Sequence, residues 1–357
     1  MAKHKKPPQK GDKREREIRE PAEKRGAGEK PKDGGEKDTK EDRDTVDAKV
    51  HAKVVEERDE ATKLAVQLKQ EKDELSHKLD NQPELQEGTL YTPPGMLVTP
   101  NGHALGWKPS FPDFHDLAAD ATGLRVLDEV DPRADMPMVY DQGQLGSCTA
   151  NAIAAALEYE CILDDTHFGT PSRLFIYYME RLREGSVTSD SGAYGRDGFK
   201  VLRKTGAPPE DLWPYDIEAF AEKPDEESYQ AATEHKIAEY VHPGLGARRT
   251  LIEREEAFKR LLSNRQTIAF GFTVYESFEE SWSEQGVMPV PQKGESILGG
   301  HEVLAVGYLS EYPEHALVRN SWGPNWGVDG YFLMPWRFLC DAQFSGDWRS
   351  IYRAQGQ

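Results

Sequence analysis

The chain has 357 residues and a formal net charge of −18, and residues 1–40 hold 14 Lys and Arg against 9 Asp and Glu, so a basic tail of net +5 precedes a body of net −23. So acidic a body excludes nucleic acid as its main partner, and no apolar run reaches membrane-spanning length or follows the N-terminal positive charges as in a secretory leader. Three cysteines, Cys148, Cys161 and Cys340, lack the paired spacing of a zinc site or a disulfide framework, so no metal or other cofactor is expected and a reducing, cytoplasmic setting is.

Residues 1–40, rich in Lys, Glu, Gly and Pro with no apolar period, predict a disordered charged tail. Residues 41–82 predict a charged amphipathic helix with a thin stripe of Val50, Val54, Ala61, Leu64, Leu68 and Leu75, read as a coiled coil or as a helix docking on a partner or on the body. Residues 83–106 are Pro- and Gly-rich, a linker or wrapping arm whose Leu97, Val98 and Leu105 suggest contact with the body. Residues 41–105 are thus expected to dock on the body or recruit a protein partner.

A globular domain is expected over 107–357. Cys148 to about Leu163 predicts a helix with Ala150, Ile153, Ala154, Leu157 and Cys161 on its packed face. Thr170-Pro171 reads as the cap and first residue of a second helix running to about Leu182. A third covers 195–204 and stops at Gly206, and two more are expected over 225–239 and 251–263. Strands follow at 266–274, 301–308, 316–321 and 331–334, so the fold class is α+β with segregated helical and strand parts.

Chemistry concentrates in three segments. Gln142-Gly-Gln-Leu-Gly-Ser-Cys148-Thr-Ala puts a cysteine where a Gly-containing turn becomes a helix, and the free N–H groups there favour thiolate over thiol. Gly299-Gly300-His301 and Arg319-Asn320-Ser-Trp322-Gly follow, 153 and 172 residues after the cysteine for His301 and Asn320. Cysteine, histidine and asparagine stand in the order of a cysteine-protease triad.

On these motifs the region from about 107 to 353 resembles the papain-like cysteine peptidases of the C1 family, specifically their cysteine-poor bacterial members, since Leu145 and Thr149 stand where other members carry Cys and Trp. The resemblance implies a two-part body, with a helical part carrying the cysteine helix and an antiparallel, barrel-like β part carrying the histidine and asparagine. It also implies roles. Cys148 is the nucleophile, His301 the acid and base, Asn320 the group that orients the imidazole, and Gln142 a donor to the oxyanion. Trp322 covers the Asn320–His301 pair, and Ser191, Gly192 and Gly300 meet an extended polypeptide substrate. Trp213-Pro214-Tyr215 is read as packing. Glu302, next to His301 in a strand, is expected to point away from the thiol. Cys161, Cys340 and the histidines at 103, 115, 167, 242 and 315 are read as structural or surface residues. The expected activity is peptide-bond hydrolysis through an acyl-enzyme. Acyl transfer to an amine, and a non-catalytic binding module recruited by the N-terminal helix, stay open beside it.

Overall fold

The computed structural model describes residues 97–352, apart from 167, 246–249 and 281–285, together with the single helical position Lys63. The tail expected over 1–40, the helix expected over 41–82 save Lys63, and residues 83–96 of the arm lie outside the described residues. The chain divides into two units, Met1–Gln82 and Pro83–Gln357, and the elements below belong to the second.

Helices come first. Helix α1 (Cys148–Leu163) is followed by α2 (Arg173–Glu184), α3 (Gly195–Lys204) and the short α4 (Glu226–Ala232). Twelve of the sixteen α1 residues are buried, on all sides rather than on the one expected face. The reason is its alanines, which let α1 sit close to α2, α3 and the sheet at once. The α2 cap is Ser172, whose hydroxyl accepts the Phe175 N–H, not Thr170; Pro171 is drawn into a bridge with Pro209 instead. Helix α4 is shorter than the expected 225–239, because the Ala232 carbonyl turns onto Gly206, where any Cβ would lie 1.8 Å from it.

The second part is a six-stranded antiparallel sheet in the order β5–β10–β6–β7–β8–β9. These strands are β5 (Tyr240–Val241), β6 (Ile268–Tyr275), β7 (Ile297–Gly307), β8 (His315–Arg319), β9 (Tyr331–Pro335) and β10 (Ser345–Ile351). Helices α5 (Leu251–Ser263), α6 (Ser277–Glu280) and α7 (Trp336–Cys340) complete this part. Strand β10 was not expected. Its register breaks between Gly346 and Arg349, with Asp347 at φ +56°, which erases the alternation that marks a strand.

Strand β7 is buried on both faces and joins the two parts. Val303 and Ala305 enter a core with Phe258, Phe270, Phe272 and Phe338, while Leu304 and Val306 enter the core of α1, α2 and α3. Residue parity along β7 therefore decides which layer a side chain reaches.

Residues 97–108 form three two-residue strands. Strand β1 (Leu97–Val98) pairs antiparallel with β2 (Ala104–Leu105), and β3 (Trp107–Lys108) pairs parallel with β4 (Ala193–Tyr194). Leu105 and Trp107 are buried, so this stretch is a strap against the body. Among the described residues no helix is long and apolar enough to cross a membrane.

Candidate active site

Cys148 is the first residue of α1. Ser147 precedes it but does not cap the helix; its hydroxyl pairs with the Tyr215 hydroxyl at 2.5 Å and accepts from Asn151 at 3.0 Å. The N–H groups of the first turn are thus left to the site. The turn before the helix is tied at several points. Gly146 N–H donates to the Asp190 carboxylate at 3.1 Å, and Tyr215 donates to the Gln142 carbonyl at 3.0 Å. Tyr215, read from sequence as packing, therefore holds the loop that presents the cysteine.

His301 and Asn320 reach the same place from β7 and from the turn after β8. His301 Nε2 and Asn320 Oδ1 are 2.7 Å apart, and Trp322 stacks on the imidazole with ring centres 4.7 Å apart. Asn320 Oδ1 also accepts the Ser321 N–H at 2.8 Å, which fixes the amide. Gln142 bridges the two parts of the fold: its side-chain Oε1 accepts from Ser321 Oγ at 2.6 Å, and its Nε2 donates to the carbonyls of Leu145 at 3.0 Å and Ala104 at 3.1 Å.

Ala104 belongs to the strap, which runs across the site. His103 stacks on Trp322 at 4.0 Å and meets Glu279 Oε1 at 3.2 Å, while Thr99 donates to Glu279 Oε2 at 3.0 Å. Leu105 lies over Gly299, where a Cβ would come within 2.8 Å of it. The Gly106 carbonyl accepts the Ala193 N–H at 2.8 Å, and Gly106 is wedged so tightly that a Cβ would lie 1.9 Å from the Gly146 oxygen. Lys108 pairs with Glu184 and lies over the Tyr194 ring.

Burial sets the electrostatics. Burial pushes the Cys148 thiol up to about 12, with the Glu302 and Glu180 carboxyls adding to the rise against the backbone N–H groups of Glu302 and Gly106 that face the sulfur. Burial likewise lowers His301 to about 4, despite its bond to Asn320. His301 Nδ1 has no hydrogen-bond partner. Burial of the covered site thus favours the neutral forms of both the Cys148 thiol and the His301 imidazole.

Of the residues named from sequence, Gln142, Cys148, Gly192 and Trp322 meet the strap, while His301 stacks on Trp322 and pairs with Asn320. Gly192, at φ +67°, lies against Gly106, where its Cβ would meet the Gly106 oxygen at 2.0 Å. The Ser191 hydroxyl turns away to Ser186 Oγ at 3.1 Å, and Gly300 is paired within the sheet to Thr273. His103, read from sequence as a surface or loop residue, is part of the site; no local pattern marks it, since its partners are 176 and 219 residues away in sequence. Glu302 leaves β7 on the face opposite His301, as its place in the strand requires, but it is not turned away from the thiol as expected, since its carboxyl acts on Cys148.

Comparison with known proteins places these features in company. The family described as papain family cysteine protease matches residues 126–341. An uncharacterised peptidase C1-like protein of Acanthamoeba polyphaga mimivirus is 42% identical over 209 residues, 58% of this chain and 67% of that protein. Cathepsin K of Gallus gallus is 28% identical over 62% of this chain and 60% of its own length. The chain thus spans roughly two thirds or less of these relatives. Among solved structures, xylellain, a cysteine protease from Xylella fastidiosa, superposes with a TM-score of 0.62 at 35% identity, covering 77% of this chain and 99% of that one. The ragweed pollen cysteine protease Amb a 11 in its proform gives 0.52 at 26% identity, covering 69% and 71%.

Proposed function

The chain belongs to the papain family of cysteine proteases, and from that premise we propose that it hydrolyses peptide bonds in polypeptides, with Cys148 as nucleophile, His301 as acid and base, Asn320 as its orienting partner and Gln142 in the oxyanion hole. In this reading the Cys148 thiol gives its proton to His301 as the sulfur bonds to the scissile carbonyl carbon, and the carbonyl electrons move onto oxygen. Gln142 Nε2 and the Cys148 N–H donate to that oxyanion. His301 passes its proton to the leaving amine as the C–N bond breaks. Water then attacks the thioester, giving its proton to His301, and the sulfur departs. Trp322 keeps water from the His301–Asn320 bond, which strengthens it. Gly192 and its neighbours offer backbone to an extended substrate, with Ser191 and Gly300 beside them.

One observation carries this reading: Gln142 Nε2 already donates to a backbone carbonyl, that of Ala104, beside the cysteine. The Cys148 sulfur meets the Gly106 N–H of the strap, a donor rather than an electrophilic carbon. The reading extends to organisation. Residues 107–357 form the peptidase domain, 83–106 a wrapping arm, 41–82 a charged helix and 1–40 a solvated tail. Residues 41–105 dock on the body or recruit a protein partner, with the buried Leu105 and the His103 stack supporting the first. Three free thiols support a reducing, cytoplasmic setting.

The test is hydrolysis of a mixed fluorogenic peptide library by the full-length chain carrying Gly106→Val, which must lift the strap off the Gly146 carbonyl. Turnover that is lost with Cys148→Ala, and whose products carry the oxygen of labelled water, is the expected result. Products joined to an added amine instead would make the chain a transferase. No turnover with the strap lifted would reject catalysis.

A further inference from the structure

Arg173 stands where helix electrostatics disfavour a cation. It is the first residue of α2, at the positive pole of the helix dipole, and no acidic residue shares that first turn. It is also 8% exposed, and burying a charge is costly unless its donors are met. Helix α2 by itself gives no reason for an arginine there. The reason lies in what the guanidinium touches.

Nε and Nη2 donate to the two oxygens of the Glu210 carboxylate at 2.9 and 2.7 Å, which balances the charge. The guanidinium carbon lies over the Tyr215 ring at 4.0 Å and the Tyr140 ring at 4.7 Å. Nη1 then donates to the Asp141 carbonyl at 3.3 Å and to Asn151 Oδ1 at 3.1 Å. From Asn151 a line of donors runs to the backbone of Gln142. Asn151 Nδ2 donates to the Ser147 carbonyl at 2.9 Å and to Ser147 Oγ at 3.0 Å. The single Tyr215 proton goes to the Gln142 carbonyl at 3.0 Å, so Ser147 Oγ donates to the Tyr215 oxygen across 2.5 Å. Buried chains of this kind polarise and stiffen their members.

The two proposed oxyanion donors, Gln142 Nε2 and the Cys148 N–H, come from opposite ends of the loop 142–148. One guanidinium ties both ends. It meets Asp141 directly, next to Gln142, and it reaches Ser147, next to Cys148, through Asn151. Tyr215, on which it stacks, holds Gln142 and Ser147 together. A lysine is a point charge on a flexible stem and cannot lie flat on Tyr215 while meeting Glu210, Asp141 and Asn151.

We infer that Arg173, acting through Asn151 and Tyr215, is the positioning residue of the oxyanion hole, holding the Gln142 side chain and the Cys148 N–H at the separation that a tetrahedral oxyanion needs. The inference rests on the peptidase reading above.

The test uses the full-length chain with Gly106→Val, so that the cleft is open. Two labelled peptide mixtures of the same random sequence are compared by fluorescence anisotropy, one ending in an aldehyde and one in the corresponding alcohol. The Cys148 thiol adds across the aldehyde, its sulfur bonding to carbon and its proton ending on the oxygen, which takes the oxyanion's place. The alcohol reports the cleft alone. Arg173→Met, which removes the donors, should lower the aldehyde-over-alcohol affinity ratio and kcat at least tenfold, while KM and the alcohol's affinity move less than threefold. Tyr215→Phe, which removes one hydroxyl and keeps the ring, should do the same and decides the matter should Arg173→Met not fold. Arg173→Lys should not restore the ratio. With Gln142→Ala already present, Arg173→Met should cost less than a third of the factor it costs alone, because one group it positions is gone. Lower thermal stability with the ratio and kcat unmoved, or equal factors with and without Gln142, would overturn the positioning role and leave the peptidase reading standing. An aldehyde bound no more tightly than the alcohol by the strap-lifted chain itself, with no turnover, would count against the peptidase reading and reject the role with it.

Discussion

Gln142 is the side chain on which both parts of the molecule meet, accepting a hydrogen bond from Ser321 and donating to the carbonyls of Leu145 and Ala104. In the strap-lifted chain Gln142→Ala should lower kcat by about 10²–10³, the usual cost of one oxyanion donor, and steady-state kinetics checks it. Two buried groups pull stability in opposite directions with pH. His301 is held near 4 by burial, below its ordinary ~6.5, so it contributes stability above the unfolded value that is lost as pH falls through the folded one. Burial raises Glu302 well above the usual range, with Asp347 adding to the rise, so the stability of its protonated form is present below the unfolded value and lost as pH rises. Glu302→Gln, which cannot ionise, should therefore raise Tm more at pH 8 than at pH 5, by roughly 2–4 °C; an equal change at both values would contradict the assignment. Gln142, Cys148, His301 and Asn320 were legible in the sequence because each sits inside a contiguous motif. His103 was not, because its contacts with Trp322 and Glu279 arise only when distant strands meet.

Elements were legible where local signals agree. Helix α5 follows Thr250 in a complete capping box, the Thr250 side chain accepting the Glu253 N–H and the Glu253 side chain returning to the Thr250 N–H. Thr250→Ala should cost about 1 kcal/mol in denaturant unfolding. Elements were hidden where tertiary contact overrides local pattern. Ser172 displaces Thr170 as cap because Pro171 pairs with Pro209, and β10 is masked by the irregularity that aims Asp347. The strap is the clearest case. Its strands are two residues long, and nothing in Leu-Gly-Trp-Lys foretells that glycine must slide between Gly146 and Gly192. Even Gly106→Ala should loosen it, because its single added carbon has no room; faster proteolysis of residues 97–108 in that variant is the expected outcome, and unchanged proteolysis would show that the wedge is not what holds it.

At the scale of the whole molecule, two cores share β7, and the cleft between them carries both the chemistry and its cover. The division into a helical part and a sheet was readable from the change of apolar period along the chain. The cover was not, since it depends on how residues 97–108 lie against surfaces contributed by α1, β4, β6 and β7. The fold shields the Cys148 thiol, and burial raises its pKa, until the strap leaves. Intact-protein mass spectrometry tests this most directly, with an epoxide-type thiol-protease inhibitor added at pH 7 to the full-length chain, to its Gly106→Val variant and to that variant with Cys148→Ala. The unaltered chain should label slowly, a single adduct should form at least a hundredfold faster once the strap is lifted, and no such adduct should form without Cys148. Equal rapid labelling of the unaltered and strap-lifted chains, or an adduct that survives Cys148→Ala, would contradict this shielding.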